Sequence, residues 1–199
     1  MTQHFDFNQF RLLIDEAITY DDLPRARALA KEALEALGRG DEHLGERMYF
    51  TAQILIIDEK FEEAIPCLDA AIKHNPFDGA VYNDRALCMI ELGKLDGAME
   101  FFDRGIAVEP DFATIHHNKG WFLNQMGHPA EALACFQQAL ELQPRRAVTY
   151  ENMADCFYKL GQIPEAIGAC QKAIEFLPEG CGHIRKEITQ LISIFRRID

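Results

Sequence analysis

Four prolines, Pro76, Pro110, Pro144 and Pro178, stand 34 residues apart, and no other feature constrains the fold of this chain so tightly. Other positions keep the same period. Ala64, Ala98, Ala132 and Ala166 recur in phase, as do Leu68, Phe102, Phe136 and Cys170, and then Ala71, Gly105, Ala139 and Ala173. A glycine returns at Gly93, Gly127 and Gly161, with Glu59 in that place in the earliest copy, and the small residues Ala52, Ala86, Gly120 and Ala154 complete the set. A fixed period of this length means a tandem array, in which each copy is one supersecondary unit that buries its apolar face against its neighbours.

Each copy reads as two helices. First halves such as "AVYNDRALCMIEL" and "AVTYENMADCFYKL" carry apolar residues at helical spacing and end at a glycine. Second halves such as "AEALACFQQALEL" place Ala132, Leu133, Phe136, Ala139 and Leu140 on one helical face. Pro129 and Pro164 fall where a second helix begins, a position at which the missing N–H is no loss. The 34-spaced prolines lie just past the second helices and stop them. Alanine or glycine at facing positions lets the two antiparallel helices of a copy approach closely.

This arrangement of small, aromatic and proline positions resembles the tetratricopeptide repeat family, a resemblance that covers most of the chain. It implies an all-α fold, a right-handed α-solenoid of helix-turn-helix 34-residue repeats. Good copies span 45–78, 79–112, 113–146 and 147–180, and a degenerate copy covers 7–40, anchored by Ala26, Ala30, Ala33 and Leu34 with Ile14 at its small-residue place. Residues 41–44 read as a short insertion, and 1–182 as a single domain. The family's usual tryptophan near the start of each repeat is replaced by Met48, Tyr82, His116 and Tyr150. Pro66 sits within a second helix, so a kink or a shifted start is expected there. In the last segment Ile184, Ile188, Leu191, Ile192 and Phe195 share one face, so 183–199 is expected to be a C-terminal capping helix over the exposed end of the last repeat.

Composition removes several function classes. The chain of 199 residues carries a formal net charge of −12 and lacks the clustered positive surface that nucleic-acid binding needs. Its longest apolar runs are short, as in Ile54-Leu55-Ile56-Ile57, so no span of a membrane is expected. The N-terminus "MTQHFDFNQFRLL" has no basic-then-apolar leader. The six cysteines are scattered without a C-x-x-C pair, which fits small packed thiols in a reducing, cytoplasmic setting. No nucleophile–base arrangement, phosphate loop or metal-ligand spacing stands outside the repeat pattern, so the expectation is a non-enzyme with no cofactor and no metal.

The stretch "ATIHHNKGWFLNQMGHPAEALACFQQALELQP" holds adjacent histidines and the single tryptophan. The repeat register places His116 with Tyr82 and Tyr150, between helices. His116 and His117 point about 100° apart, a poor start for one metal site. In the family the first helices line a concave surface that commonly binds peptides, and residues at the second, fifth, sixth, ninth, twelfth and thirteenth places of a copy share one face. That face yields the candidate peptide-binding residues Asn83, Asp84, Leu87, His117, Asn118, Trp121, Asn124, Glu151, Asn152, Asp155 and Tyr158. Asn118 and Asn152 are one repeat apart, with Asp84 one repeat earlier. This is similar to the asparagine ladder by which some family members hold a peptide backbone, an amide being both donor and acceptor.

Each such bond nets about 0.5–1.5 kcal/mol, against roughly 4–15 kcal/mol for association, so the rungs need an apolar anchor. Trp121, Tyr158, Leu87 and Ile90 are the candidates. The clamp of basic residues with which some family members grip chaperone carboxylates finds no match, since its first register holds Arg11, Asp15, Phe50, Ala80 and Asp84. The expected function is a protein–protein interaction scaffold that binds an extended peptide segment. Its partner would be neutral to basic with an apolar anchor, and the oligomeric state stays open. Two alternatives remain at this stage: a chaperone for an apolar or secreted client, suggested by Tyr49, Phe50, Ile56 and Ile57, and a self-assembling structural module.

Overall fold

A computed structural model describes residues 6–197; the outermost residues of the expected domain and cap, 1–5 and 198–199, lie outside the described residues. The chain divides into two compact units, Met1–Glu109 and Pro110–Asp199. The first contains α1 (Phe7–Thr19), α2 (Leu23–Leu37), a 3-10 turn (Asp41–His43), α3 (Leu44–Ile57), α4 (Phe61–His74), α5 (Gly79–Glu91) and α6 (Leu95–Val108). The second contains α7 (Ala113–Gln125), α8 (Pro129–Leu142), α9 (Ala147–Lys159), α10 (Ile163–Phe176) and α11 (Gly182–Phe195). Within each unit every helix packs on the next one in the chain. The described residues form no strand, and the fold is an all-α array of helical repeats.

The 34-residue period is a period of contacts. Ala64, Ala98, Ala132 and Ala166 are fully buried, and so are Leu68, Phe102, Phe136 and Cys170 four residues on. Opposite them stand Ala52, Ala86, Gly120 and Ala154, also buried. At Gly120 the approach is closest: a Cβ there would lie 2.9 Å from the Phe136 ring and 3.1 Å from the Ala132 carbonyl oxygen. The second helices of four hairpins begin at Phe61, Leu95, Pro129 and Ile163, in strict register. Pro66 therefore does not shift the start of α4, one of the two outcomes expected from the sequence. Burial of Ala64, Leu68 and Ala71 against α3 holds the register although Pro66 cannot donate to the Glu62 carbonyl.

Each hairpin turns through a left-handed residue two places before its second helix. Gly93, Gly127 and Gly161 have φ of 70°, 84° and 74°, and Glu59 takes the same conformation at 57°. Asp21 does so at 61°, which places the degenerate first copy in the same scheme once the insertion around the 3-10 turn is allowed for. A side chain in this region costs roughly 1–2 kcal/mol that glycine avoids. A second recurring device uses the fourth place of the first helix. Tyr82 and Tyr150 donate their hydroxyls to the carbonyls of Pro76 and Pro144, at 3.2 and 3.1 Å, and His116 Nε2 does the same to Pro110 at 2.8 Å. His116 thus takes the structural place that its register implies.

The last helix, α11, packs on α10, and its Ile188, Ile192 and Phe195 are buried. Leu191, read from sequence as part of that stripe, is 38% exposed, and Ile194 is 50% exposed.

Adding one carbon at two glycines tests the packing. Gly120→Ala must displace the enclosed Phe136 ring and should lower stability by about 1–3 kcal/mol. Gly168→Ala, in mid-helix with open space around its Cβ position, should raise it by about 0.5–1 kcal/mol. Urea denaturation of the two variants reads both signs.

Candidate peptide-binding site

In the first unit the candidate face of α5 is engaged from within. Arg11, on α1, sends its guanidinium to Asp78 Oδ1 at 2.8 Å and to Glu109 Oε1 at 2.6 Å. Asp78 also accepts from the Ala80 N–H at the start of α5, and Glu109 accepts from the Gly79 N–H. One arginine therefore ties the first helix to both ends of the α5–α6 hairpin. Arg11 and Asp78 are buried, so losing one partner would strand the other charge at about 3–5 kcal/mol. Beside this cluster the rings of Phe7 and Phe10 meet Phe50 edge-on, and Phe7 also meets Tyr49. Of the four residues that suggested an apolar client, Tyr49 and Phe50 are covered, whereas Ile56 and Ile57 are part-buried.

The α5 candidates follow from that. Asn83 is 3% exposed and donates to Asp84 Oδ1 at 2.9 Å. Gln53, from α3, donates to Asp84 Oδ2. Burial pushes the Asp84 carboxyl up to about 7, against the two amides that hold it down. Asn83 and Asp84 thus spend polar groups on the fold, whereas the sequence reading had them facing a ligand. Leu87 stays half-buried on the same helix.

In the second unit the candidates separate into two groups. His117 is 5% exposed, with Nδ1 3.0 Å from the Thr149 hydroxyl and its ring against Phe136. Burial, aided by the nearby Arg146 charge, pushes its pKa down to about 3, so it sits neutral in the core. Asn124 is 2% exposed; it donates to Asp155 Oδ2 at 2.6 Å, and its Oδ1 accepts from Lys159, which also pairs with Asp155 at 2.8 Å. His117 and Asn124 are interior groups, a correction to their expected place on an open face.

The second group stays accessible. Asn118 and Trp121 on α7 are partly exposed. On α9, Glu151, Asn152, Asp155 and Tyr158 come together with Val148 and Ala154 on one wall of a cavity of about 480 Å³. Asn152 donates to the Val148 carbonyl at 3.0 Å. The other wall is α11, through Leu191, Ile194 and Phe195. Phe195 stacks on Tyr158 with centroids 5.0 Å apart. These α11 residues were not foreseen as part of a site. Their signal was present: Ile184, Ile188, Leu191, Ile192, Ile194 and Phe195 are more apolar residues than one buried stripe uses.

A model of the Tetratricopeptide repeat family matches residues 55–118, and a second model of that description matches 111–179, so together they span more than half the chain. The chain belongs to the tetratricopeptide repeat family. No curated protein matches it. Among solved structures it is similar to TTC0263, a thermophilic TPR protein in Thermus thermophilus, at 17% identity over 96% of this chain and 98% of that one, with a TM-score of 0.70. MamA, residue 41 to its end, from Desulfovibrio magneticus RS-1 is 20% identical over 80% and 94%, with a TM-score of 0.61. YrrB, described as a TPR protein with an unusual peptide-binding site, is 19% identical over 94% and 100%, with a TM-score of 0.58. Likeness at these identities establishes the fold. Tetratricopeptide repeat proteins are in general non-catalytic modules that bind protein or peptide partners, and the fold of this chain is that of a protein-interaction scaffold. No helix among the described residues is long and apolar enough to cross a membrane.

The buried neutral His117 gives the second unit a defined response to acid. Unfolded, this imidazole protonates near its ordinary 6.5, whereas folded it stays neutral down to about 3. The stability tied to it is complete above 6.5 and drains away as pH falls from there towards 3. His117→Gln keeps a polar partner for Thr149 and does not titrate. Its melting temperature should therefore fall less than that of the wild-type protein between pH 7 and pH 5, measured by circular dichroism.

Proposed function

We propose that the chain is a non-enzymatic adaptor that holds an extended segment of a partner protein along the first-helix face of its second unit. Residues 1–182 serve as one array of repeats, and α11, with the segment 183–199, closes its end. The reading rests on one observation: Glu151, Asn152, Asp155 and Tyr158, picked by repeat register alone, line a cavity large enough for a side chain. Asn118 and Asn152 offer amides to a peptide backbone, and Trp121 and Tyr158 offer apolar area that such bonds require. The formal charge of −12 favours neutral or basic partners over acidic ones. The six cysteines form no disulfide among the described residues, which fits a reducing, cytoplasmic setting.

The test uses the full chain. A photo-reactive amino acid placed at Trp121 or at Gln137, exposed on α8, is irradiated in native lysate and its adducts are identified. Partner peptides should attach at 121 and not at 137. With the partner in hand, Trp121→Ala should weaken binding roughly 30-fold, the effect of losing about 2 kcal/mol at an aromatic hot spot. Adducts at 137 matching those at 121, or unchanged affinity in Trp121→Ala, would move the binding surface elsewhere.

A further inference from the structure

We infer that the cavity between α9 and α11 receives an arginine or lysine side chain of the partner segment, its stem against Tyr158 and Leu191 and its charge at Glu151. The inference deepens the peptide-binding reading and rests on it.

The cavity combines two features that seldom favour the same ligand. Its floor and far wall are apolar and partly open: Tyr158 is 43% exposed although one face stacks on Phe195, and Leu191 and Ile194 add apolar surface from α11. On the near wall stands Glu151, half-buried, and Glu187 on α11 lies close enough to repel it. Burial and then that repulsion raise the Glu151 carboxyl above its ordinary range. No cation is among the charges that act on Glu151. Lys159, the near candidate, is held by Asp155 and Asn124, and Arg185 donates to the Ile174 carbonyl.

An anionic ligand would meet like charge here. A purely apolar side chain would bury Glu151 further with nothing to satisfy it. A cationic head on an aliphatic stem answers both features, because long basic side chains lay their methylenes on apolar surface while the charge stays with an acid. A guanidinium adds a flat face for Tyr158 and paired donors for a carboxylate. The volume of about 480 Å³ lies within the range of side-chain and small-ligand pockets. Since α11 supplies three of the nine lining residues, the closing helix is itself part of the recognition surface.

The experiment selects from a random nonapeptide bead library with the full-length protein. Enriched peptides are then remade with each arginine replaced by citrulline, which keeps the shape and removes the charge. Peptides with arginine or lysine beside a large apolar residue should be enriched, and citrulline should weaken them at least 10-fold. Glu151→Gln, isosteric and relieved of the Glu187 repulsion, should erase most of that difference. Trp121→Ala should weaken the arginine and citrulline forms alike. Enriched peptides that lack a basic residue yet depend on Trp121 would overturn this inference and leave the peptide-binding reading standing. An arginine-to-citrulline difference that persists in Glu151→Gln would overturn it too. The absence of any enrichment would overturn both. A concentration-dependent mass in sedimentation that Glu151→Gln abolishes would assign the cavity to a second copy of this chain and equally overturn the partner-peptide assignment.

Discussion

Everything in this fold depends on how closely the two helices of a hairpin can lie. At the crossing the side chains are alanine or glycine, and the space this leaves is filled by a single larger residue, Phe102, Phe136 or Leu68, with no exposed surface. Close packing of this kind is intolerant of even one added carbon. It also repeats within each hairpin, so the same sequence places are buried at each crossing. Turn residues and the proline-carbonyl bonds from Tyr82, His116 and Tyr150 refine that geometry, but they act on helices the crossing has already aligned.

The fold was therefore legible in the sequence almost to the residue, because burial at the crossing leaves few alternatives at each place. The site was legible only in part. Register identified which residues share a face, and four of them do line a cavity, yet Asn83, His117 and Asn124 turned out to be interior. The reason is competition. On neighbouring first helices, a polar side chain meets another about one repeat minus a turn away, and complementary pairs bond to each other. Gln53 reaches Asp84, and Asn124 reaches Asp155, both across 31 residues; His117 reaches Thr149 across 32. A donor and an acceptor at that separation are the pattern to look for before assigning such residues to a ligand.

The aromatic content of the first unit misled in a related way. Tyr49 and Phe50 look like an exposed apolar face when α3 is considered by itself, but both are buried, with the rings of Phe7 and Phe10 among the groups against them. Conversely, the closing helix looked complete once three residues of its apolar stripe were buried, while Leu191 and Ile194 remained open to line a wall. In both cases the decisive partner lies outside the helix being read, where periodicity carries no information.

The reach of Arg11 bears on how this protein can be dissected. Deleting the N-terminal helix would remove more than one element. It would leave Asp78 and Glu109 as adjacent, poorly solvated acids at the two ends of the α5–α6 hairpin, 67 and 98 residues along the chain from Arg11. Domain-mapping by N-terminal truncation would then report a damaged third hairpin as though the first helix carried the activity, and a boundary chosen by repeat phase alone would mistake an internal tie rod for a detachable end.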